Sequence, residues 1–446
     1  MSATSRRRAA IASVLFAMAA AVLDASSVNI ALPSIASVLH VDPSAAAWLV
    51  IAYQGALVAG LLPLAAVGER FGYRPIFAAG IGLFGLCAAG SALSHGFVML
   101  VAFRIGQGIG AAAIMALGVA LLRQIVAEAE FGKAIGWNAM TVALTSAAAP
   151  AIGAMLLGLG SWRFLFAGSV ALAGLASATA FALPPTTAGR RPVDGFSPFS
   201  YAVIVAALVA AAGFARALPV SSALILLAAL VGMILLVRRD RTRVLPFLPL
   251  LLFRSASFTR SVLASVACFA ALSLALLMLP FALPDRLGLS VHGTAMIMTA
   301  WPIAVLVTTP VTARLLDHVA AARLCVSGAF ALACGLVVLA MAASDRGVGA
   351  HIFGIILCGA GFGLFQTPNN RTMFLSAPVD RAASAGGVQG TARLSGQVTG
   401  ALIASIILAI LPASDASDFS FGVAALVAIS SAAISSTAGS NRERAA

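Results

Sequence analysis

The chain has 446 residues, of which 61% are hydrophobic and only 9% are charged, and its mean hydropathy is +1.05. These values exclude an ordinary soluble domain, in which about a quarter of the residues are charged, and they indicate an integral membrane protein. The formal net charge of +13 could suggest a nucleic-acid partner. The basic residues, however, form short clusters at the ends of apolar runs, as membrane orientation requires. We therefore expect the lipid bilayer as a partner and no nucleic acid.

Fourteen apolar runs predict fourteen transmembrane helices, because about 20 apolar residues cross the hydrocarbon core. Long continuous runs favour helices over a closed barrel, whose short strands alternate apolar and polar residues. The runs lie at 10–38, 44–67, 76–93, 97–121, 134–159, 162–183, 200–215, 219–237, 258–283, 292–313, 323–342, 350–370, 385–411 and 419–437. The first run follows Arg6–Arg8 and resembles a signal peptide. It is longer than a signal core of about 7–15 residues, so we expect a retained span.

The spacing of these runs predicts an all-α polytopic membrane protein made of two six-helix bundles with two inserted helices. The first bundle would occupy 1–183, a linker with the two extra helices and a basic loop 184–257, and the second bundle 258–446. Most basic residues fall on one side if the amino terminus is cytoplasmic. With an even number of spans, we expect both termini in the cytoplasm.

The two halves share a short pattern that predicts an internal repeat. Ala65–Arg70 follows the second span and Ala313–His318 follows the tenth, and both read small, any, aliphatic, any, acidic, basic. Duplicated halves around a site at the membrane midplane are the architecture of an alternating-access transporter.

Asp24 is the only ionisable residue between Ala9 and Leu39. A carboxylate at the centre of a span costs about 2.5–3.5 kcal/mol on insertion scales, which favours a functional role over a buried structural acid. At 1.5 Å per residue, Asp24 lies ~21 Å from the cytoplasmic side and Arg104 ~10 Å from the outer side. In a core of ~30 Å these depths nearly coincide.

We expect Asp24 to exchange a proton, with Arg104 and Gln107 adjusting its proton affinity. The alternative is an Arg104 that snorkels to the interface and has no role in coupling. Leu272 stands at the repeat position of Asp24. A single membrane acid favours a low proton count and monocationic or neutral substrates.

Two loops and one helix are candidates for conformational roles. Glu69, Arg70, Gly72 and Arg74, with Asp317 in the second half, could form a latch at the inner face, or they could be ordinary positive-inside anchors. Pro150 and Gly153 predict a kink and a hinge in the fifth span. Candidate substrate-binding residues are polar, aromatic or methionine side chains within spans, namely Asn29, Tyr53, Gln54, Asn138, Thr141, Met278, Phe281, Trp301 and Gln366.

Glycines in the fourth span could be read in two ways. Gly106 and Gly110 form a small-xxx-small face that permits close helix contact. A dinucleotide-binding loop is excluded, because no strand precedes them. Arg393 lies about two turns into its span, where contact with substrate and snorkelling to the cytoplasm are both open.

Several of these stretches resemble the signatures of the major facilitator superfamily, specifically its fourteen-helix drug:proton antiporter group. They are Leu23–Pro33, Glu69–Arg74, Leu100–Ala112 and Ala149–Gly153, together with Gln366–Asn370 and the region from Arg393 to Gly400. The chain departs from the usual signatures at Ala65, Glu69 and Ala149, where the group has glycine, aspartate and glycine.

The resemblance implies a multi-pass protein of a bacterial cytoplasmic membrane that uses protons to export small amphipathic or organic-cation compounds. It also implies that Asp24 takes part in coupling. The alternatives are a facilitator or symporter of a specific metabolite and a membrane-embedded enzyme or sensor. We expect no enzyme, because the histidines lie near span ends and form no metal-binding cluster. A Walker-type phosphate loop is absent from the sequence. The expected partners are a small-molecule substrate and protons, with no cofactor, no metal and a functional monomer.

Overall fold

The computed structural model describes residues 3–127, 130–185, 195–214, 218–243, 247–342, 347–378 and 382–443. Its helices are α1 (Ala3–Val38), α2 (Pro43–Ala46), α3 (Trp48–Phe71), α4 (Tyr73–Ala92), α5 (Phe97–Ile125), α6 (Phe131–Leu157), α7 (Arg163–Ala180), α8 (Phe196–Phe214), α9 (Pro219–Arg241), α10 (Ala256–Leu287), α11 (Val291–Met298), α12 (Ala300–Leu315), α13 (Ala321–Met341), α14 (Gly347–Leu375), α15 (Ala382–Ile410) and α16 (Ala413–Glu443). A short 3-10 helix, Leu250–Arg254, precedes α10.

The predicted number of spans is confirmed: the described residues contain 14 helical segments long and apolar enough to cross a membrane. Two of them combine a short and a long helix, α2 with α3 and α11 with α12. The short run at 200–215 begins earlier than predicted, at Phe196. The last run belongs to a longer helix, Ala413–Glu443. Within the predicted linker 184–257, residues 186–194, 215–217 and 244–246 lie outside the described residues.

Glycines end helices where the backbone turns into a conformation that other residues rarely adopt. Gly72 separates α3 from α4 with φ 94° and ψ 144°. Gly288 ends α10 in the left-handed region, with φ 60°. A side chain at either position would be strained, because the left-handed region is open to glycine at little cost.

The chain divides into two compact units, Met1–Phe247 and Leu248–Ala446. Within the first unit, α8 and α9 pack on each other and α8 packs against α3. At the contact with α3, a Cβ at Gly55 would lie 3.1 Å from the side chain of Val209. By contacts, the two extra helices therefore belong to the same unit as α1–α7. The three-part division predicted from the sequence instead separates the two proposed repeats from the helices inserted between them.

The two units pack their helices through glycines at equivalent positions. In the first unit, a Cβ at Gly108 of α5 would overlap the carbonyl oxygen of Tyr53 on α3. In the second unit, a Cβ at Gly359 of α14 would overlap the carbonyl oxygen of Trp301 on α12. Each glycine lets two helix backbones approach more closely than a side chain would allow.

The next glycine on each helix packs against a different neighbour, again in the same way. A Cβ at Gly110 would lie 2.7 Å from the carbonyl oxygen of Gly80 on α4. A Cβ at Gly361 would lie 2.6 Å from the carbonyl oxygen of Gly328 on α13. The common pattern of α3–α5 and α12–α14 supports the internal repeat predicted from the two loops.

Candidate functional site

A buried ion pair with two further donors lies in the first unit, and we call Asp24, Arg104, Gln107 and Ser169 the Asp24 cluster. The side chains of Asp24 and Arg104 are each 1% exposed, and Arg104 Nη1 donates a hydrogen bond to Asp24 Oδ2. Asp24 Oδ1 accepts from Gln107 Nε2 at 3.1 Å and from Ser169 Oγ at 3.0 Å. Both carboxylate oxygens are therefore occupied, and the paired charges sum to zero.

Arg104 is held at the depth of the carboxylate by contacts on its other sides. Its Nε donates to the carbonyl oxygen of Leu49 at 3.1 Å. The guanidinium carbon lies 4.3 Å from the ring centroid of Tyr53 and 5.8 Å from that of Phe166, within the range of cation–π attraction. Arg104 therefore does not snorkel to the interface in this conformation.

The local sequence explains how four helices meet at this level. Arg104 and Gln107 are three residues apart on α5 and so share a face. Gly108 lets that helix approach α3 closely, at the Tyr53 backbone. Tyr53 Oη then donates to the carbonyl oxygen of Ala21 at 3.1 Å, which links α3 to α1. Ser169 adds α7, so the cluster joins α1, α3, α5 and α7.

Two serines of this network were not predicted from the sequence. Ser169 donates to Asp24, and Ser91 on α4 donates to Gln107 Oε1 at 3.1 Å. A serine in an apolar run has no motif to mark it. The sequence does indicate that such donors must exist, because a buried carboxylate requires several hydrogen-bond donors from neighbouring helices.

The predicted substrate-binding residues of the first unit fall into two groups. Tyr53 is 1% exposed and belongs to the surroundings of Arg104. Asn29, Gln54 and Asn138 each have a buried side-chain oxygen that accepts no hydrogen bond within the described chain. Thr141 is half-buried on α6. The oxygens of Asn29, Gln54 and Asn138 are thus both buried and unsatisfied.

In the second unit, the predicted residues also differ in access. Met278 is fully buried and Trp301 is 3% exposed, and both pack between helices. Phe281 and Gln366 are half-buried. Among the described residues Gln366 has no hydrogen-bond partner, which leaves its amide available.

The predicted latch residues lie at exposed helix ends. Glu69 is exposed in the last turn of α3, and within the described chain it forms no ion pair. Arg74 Nη2 donates to the carbonyl oxygen of Phe181 at 3.4 Å, which ties the start of α4 to the end of α7. In the second unit, Asp317 is exposed just beyond α12.

The predicted hinge lies against the helix that carries the acid. Pro150 stands inside α6. One turn further, a Cβ at Gly153 would lie 3.2 Å from Ser27 Cβ on α1, three residues after Asp24. A change in the bend of α6 would therefore be transmitted to α1 close to the carboxylate.

The described residues contain fourteen apolar helices in two units that share a packing pattern, with a buried ion pair inside one unit, and this architecture defines a membrane transporter rather than an enzyme. The model of the Major Facilitator Superfamily matches residues 14–401, so the chain belongs to that superfamily. It is a multi-pass protein of the cell membrane, as predicted.

Relatives from several bacteria align over most of the chain. It is 37% identical over 412 residues to the uncharacterized transporter YebQ of Escherichia coli, covering 90% of this chain and 89% of that protein. It is 27% identical to the multidrug resistance protein Stp of Mycobacterium tuberculosis, covering 88% and 74%. It is 26% identical to the riboflavin transporter RibZ of Clostridioides difficile, covering 83% and 81%.

Solved structures share the fold at low sequence identity. A POT family transporter in complex with a thioalcohol-conjugated peptide superposes with a TM-score of 0.73 at 14% identity, covering 96% of each chain. A D-xylose–proton symporter superposes with a TM-score of 0.68 at 17% identity, covering 96% and 95%. At these identities the likeness concerns the fold alone.

Proposed function

We propose that this chain exports small amphipathic compounds in exchange for protons, by alternating access. The observation that carries the proposal is the buried carboxylate of Asp24, which is paired with Arg104 and linked by hydrogen bonds to two other helices of the first unit, α5 and α7. Intramembrane acids of this kind mark proton pathways. The names of two relatives support export: the multidrug resistance protein Stp, and the tetracenomycin C resistance and export protein of Streptomyces glaucescens at 27% identity.

Protonation of Asp24 is the step that would couple the proton to movement. A proton on the carboxylate removes its charge, so Arg104 loses its counter-ion while remaining in a medium of low dielectric constant. The hydrogen bonds to Gln107 and Ser169 also weaken, because charge-assisted bonds are about twice as strong as neutral ones. Proton binding therefore loosens the link between α1, α5 and α7.

The latch and the hinge are assigned supporting roles. Glu69, Arg70, Gly72 and Arg74 would hold one conformation at the cytoplasmic face, with Asp317 in the equivalent place in the second unit. Pro150 and Gly153 would let α6 bend against α1 as the cluster rearranges.

The full pairing of Asp24 favours a proton over an organic cation at this carboxylate. Each oxygen already accepts from a donor, and the side chain is 1% exposed. A proton can reach a hydrogen-bonded carboxylate, whereas a bulky cation must first displace Arg104. The substrate is therefore assigned to other residues, including Asn29, Gln54, Asn138, Thr141, Phe281 and Gln366.

Inverted membrane vesicles energised with an inside-acid gradient provide the test. A panel of positively charged, neutral and negatively charged fluorescent compounds would be compared for the parent, Asp24→Asn and Asp42→Asn. Asp42 is a matched control because its carboxylate is exposed. We expect gradient-driven accumulation by the parent and by Asp42→Asn, and none by Asp24→Asn at equal membrane insertion.

Other results would redirect the proposal. Equal accumulation by the parent and Asp24→Asn would make Asp24 structural. If no compound accumulates, and right-side-out vesicles with an outside-acid gradient instead take up a specific metabolite, the chain is a symporter. That alternative is favoured by one relative, the riboflavin transporter RibZ, whose name denotes a single vitamin.

A further inference from the structure

The second unit contains an arginine inside the membrane that has no counter-charge among the described residues. Arg393 lies within α15, about 14 Å along the axis from the start of the span Ser384–Ile410. The side chain is half-buried, and its Nε is inaccessible to solvent and has no hydrogen-bond partner. Within the described chain, Arg393 forms no hydrogen bond or ion pair.

Carboxylates of the second unit lie elsewhere. In its described part, every acidic residue falls within six residues of a helix end or outside the helices. These residues are Asp285, Asp317, Asp415, Asp418 and Glu443. An uncompensated cation at this depth is costly, so its retention indicates a ligand that supplies the negative charge.

A second unpaired donor lies at the same level as Arg393. Gln389 Nε2 on α15 donates to Asn370 Oδ1 on α14 at 3.2 Å, which fixes the register of the two helices. Consecutive helices joined by a short connection run antiparallel. Arg393 is one turn after Gln389 and Gln366 is one turn before Asn370. Arg393 and Gln366 therefore both lie about 6 Å along the helix axis from the Gln389–Asn370 hydrogen bond, on the same side of it.

Two buried aromatic rings make the surroundings apolar one turn further along. Phe362 precedes Gln366 by four residues on α14, so the two share a face. Its ring meets that of Phe269 on α10 edge-on, with centroids 5.1 Å apart. Gly396, three residues after Arg393, brings α15 against the same phenylalanine, because a Cβ there would lie 2.8 Å from Phe269 Cβ.

We propose that Arg393 and Gln366 bind the carboxylate of an amphipathic substrate. A guanidinium and an amide together present donors that match the two oxygens of a carboxylate, and guanidinium–carboxylate pairing is commonly bidentate. The depth of Arg393 excludes a lipid headgroup as the usual partner, because headgroups lie at the membrane surface.

The inference deepens the proposed export function by naming a substrate class, and it rests on that function. It revises the expectation of monocationic or neutral substrates, which was drawn from Asp24 and Leu272 alone. In this scheme Asp24 of the first unit binds the proton, and Arg393 of the second unit binds the carboxylate of the substrate.

Binding is tested on the purified full-length protein, because binding does not depend on proton coupling. The probes are 4-phenylbutyrate and matched aryl-alkyl carboxylates, each beside its carboxamide and its primary amine, with thermal stabilisation as the readout. The variants are Arg393→Gln and Arg393→Lys. Arg323→Gln is the matched control, since Arg323 is an exposed arginine of the same unit.

We expect carboxylates to stabilise the parent and Arg323→Gln, and carboxamides and amines to stabilise neither. Loss of a hydrogen-bonded charge pair should weaken carboxylate binding about tenfold to a hundredfold in Arg393→Gln. Arg393→Lys should bind carboxylates more weakly than the parent but better than Arg393→Gln, because it keeps the charge and loses the bidentate geometry.

Two results would overturn the assignment: carboxylate binding that is unchanged in Arg393→Gln, and carboxylates that bind no better than their carboxamides. Repeating the titration with added phosphatidylglycerol distinguishes a substrate carboxylate from a lipid phosphate as the ligand. Competition by that lipid would assign the site to a phosphate headgroup. Proton-driven accumulation of neutral compounds, without any preference for acids, would leave export intact and remove only the acidic substrate.

Discussion

Breaking the ion pair of the Asp24 cluster should destabilise the protein unequally, depending on which partner is removed. Asp24→Asn leaves the guanidinium of Arg104 with the Leu49 carbonyl oxygen and Gln107 as its polar partners. Arginine cannot release its proton, so an uncompensated charge stays buried, at a cost of about 3–5 kcal/mol. Arg104→Gln leaves a carboxylate that still accepts from Gln107 and Ser169 and can take up a proton, so we expect about 1–3 kcal/mol.

The double variant Asp24→Asn/Arg104→Gln has neither charge, and its total loss should not exceed that of Asp24→Asn alone. The coupling energy between the two residues is then at least as large as the loss in Arg104→Gln, about 1–3 kcal/mol. Unfolding of the purified protein in mixed micelles by a denaturing detergent, followed by circular dichroism, gives the four free energies. The control cycle uses Arg7 and Glu130, an ion pair whose side chains are 40% and 45% exposed, where coupling should stay below about 1 kcal/mol. Additive losses at Asp24 and Arg104, within about 0.5 kcal/mol, would refute the buried pair.

Further substitutions probe helix packing and the two charged sites. Gly110→Ala should destabilise by about 2–4 kcal/mol in the same unfolding assay, because the new Cβ would lie 2.7 Å from backbone atoms of α4, whereas Gly82→Ala has open space and should be neutral. Gly72→Ala should cost about 1–2 kcal/mol, since φ at this position is 94°. Ser169→Ala removes one donor to Asp24 and should lower stability by about 1–2 kcal/mol, with reduced gradient-driven accumulation in vesicles. Arg393→Met should leave stability unchanged or raise it, because it removes an unpaired buried charge. A loss above about 2 kcal/mol would mean that Arg393 has a structural partner.

The number of spans was predictable because hydrophobic length is a local property of the chain. The depth of Asp24 and Arg104 was also predictable, since the rise of a helix is fixed and the membrane supplies a common reference for separate spans. That calculation gives the depth of a side chain in the membrane but not the face of the helix on which it lies. It therefore did not identify Ser169 or Ser91.

Access to solvent was harder to predict for the substrate residues. Tyr53, Met278 and Trp301 are polar-aromatic or methionine positions within spans, which suits either a cavity or a helix contact. Their burial depends on which face meets a neighbouring helix, and that depends on tertiary packing. Arg393 was predicted to lie within a span, but the level of Gln366 relative to it could not be predicted, because it depends on how α14 and α15 pack at the hydrogen bond between Gln389 and Asn370.

The matched glycine contacts of the two units bear on how such a protein can evolve. Tyr53 and Trp301 occupy equivalent places against Gly108 and Gly359, and only Tyr53 has an arginine over its ring. The close approach of the two helices at the glycine is thus present both with and without an arginine over the neighbouring ring. After a gene duplication, one copy of such a scaffold can keep a buried ion pair while the other loses it, and the glycine contacts between the helices remain in both copies.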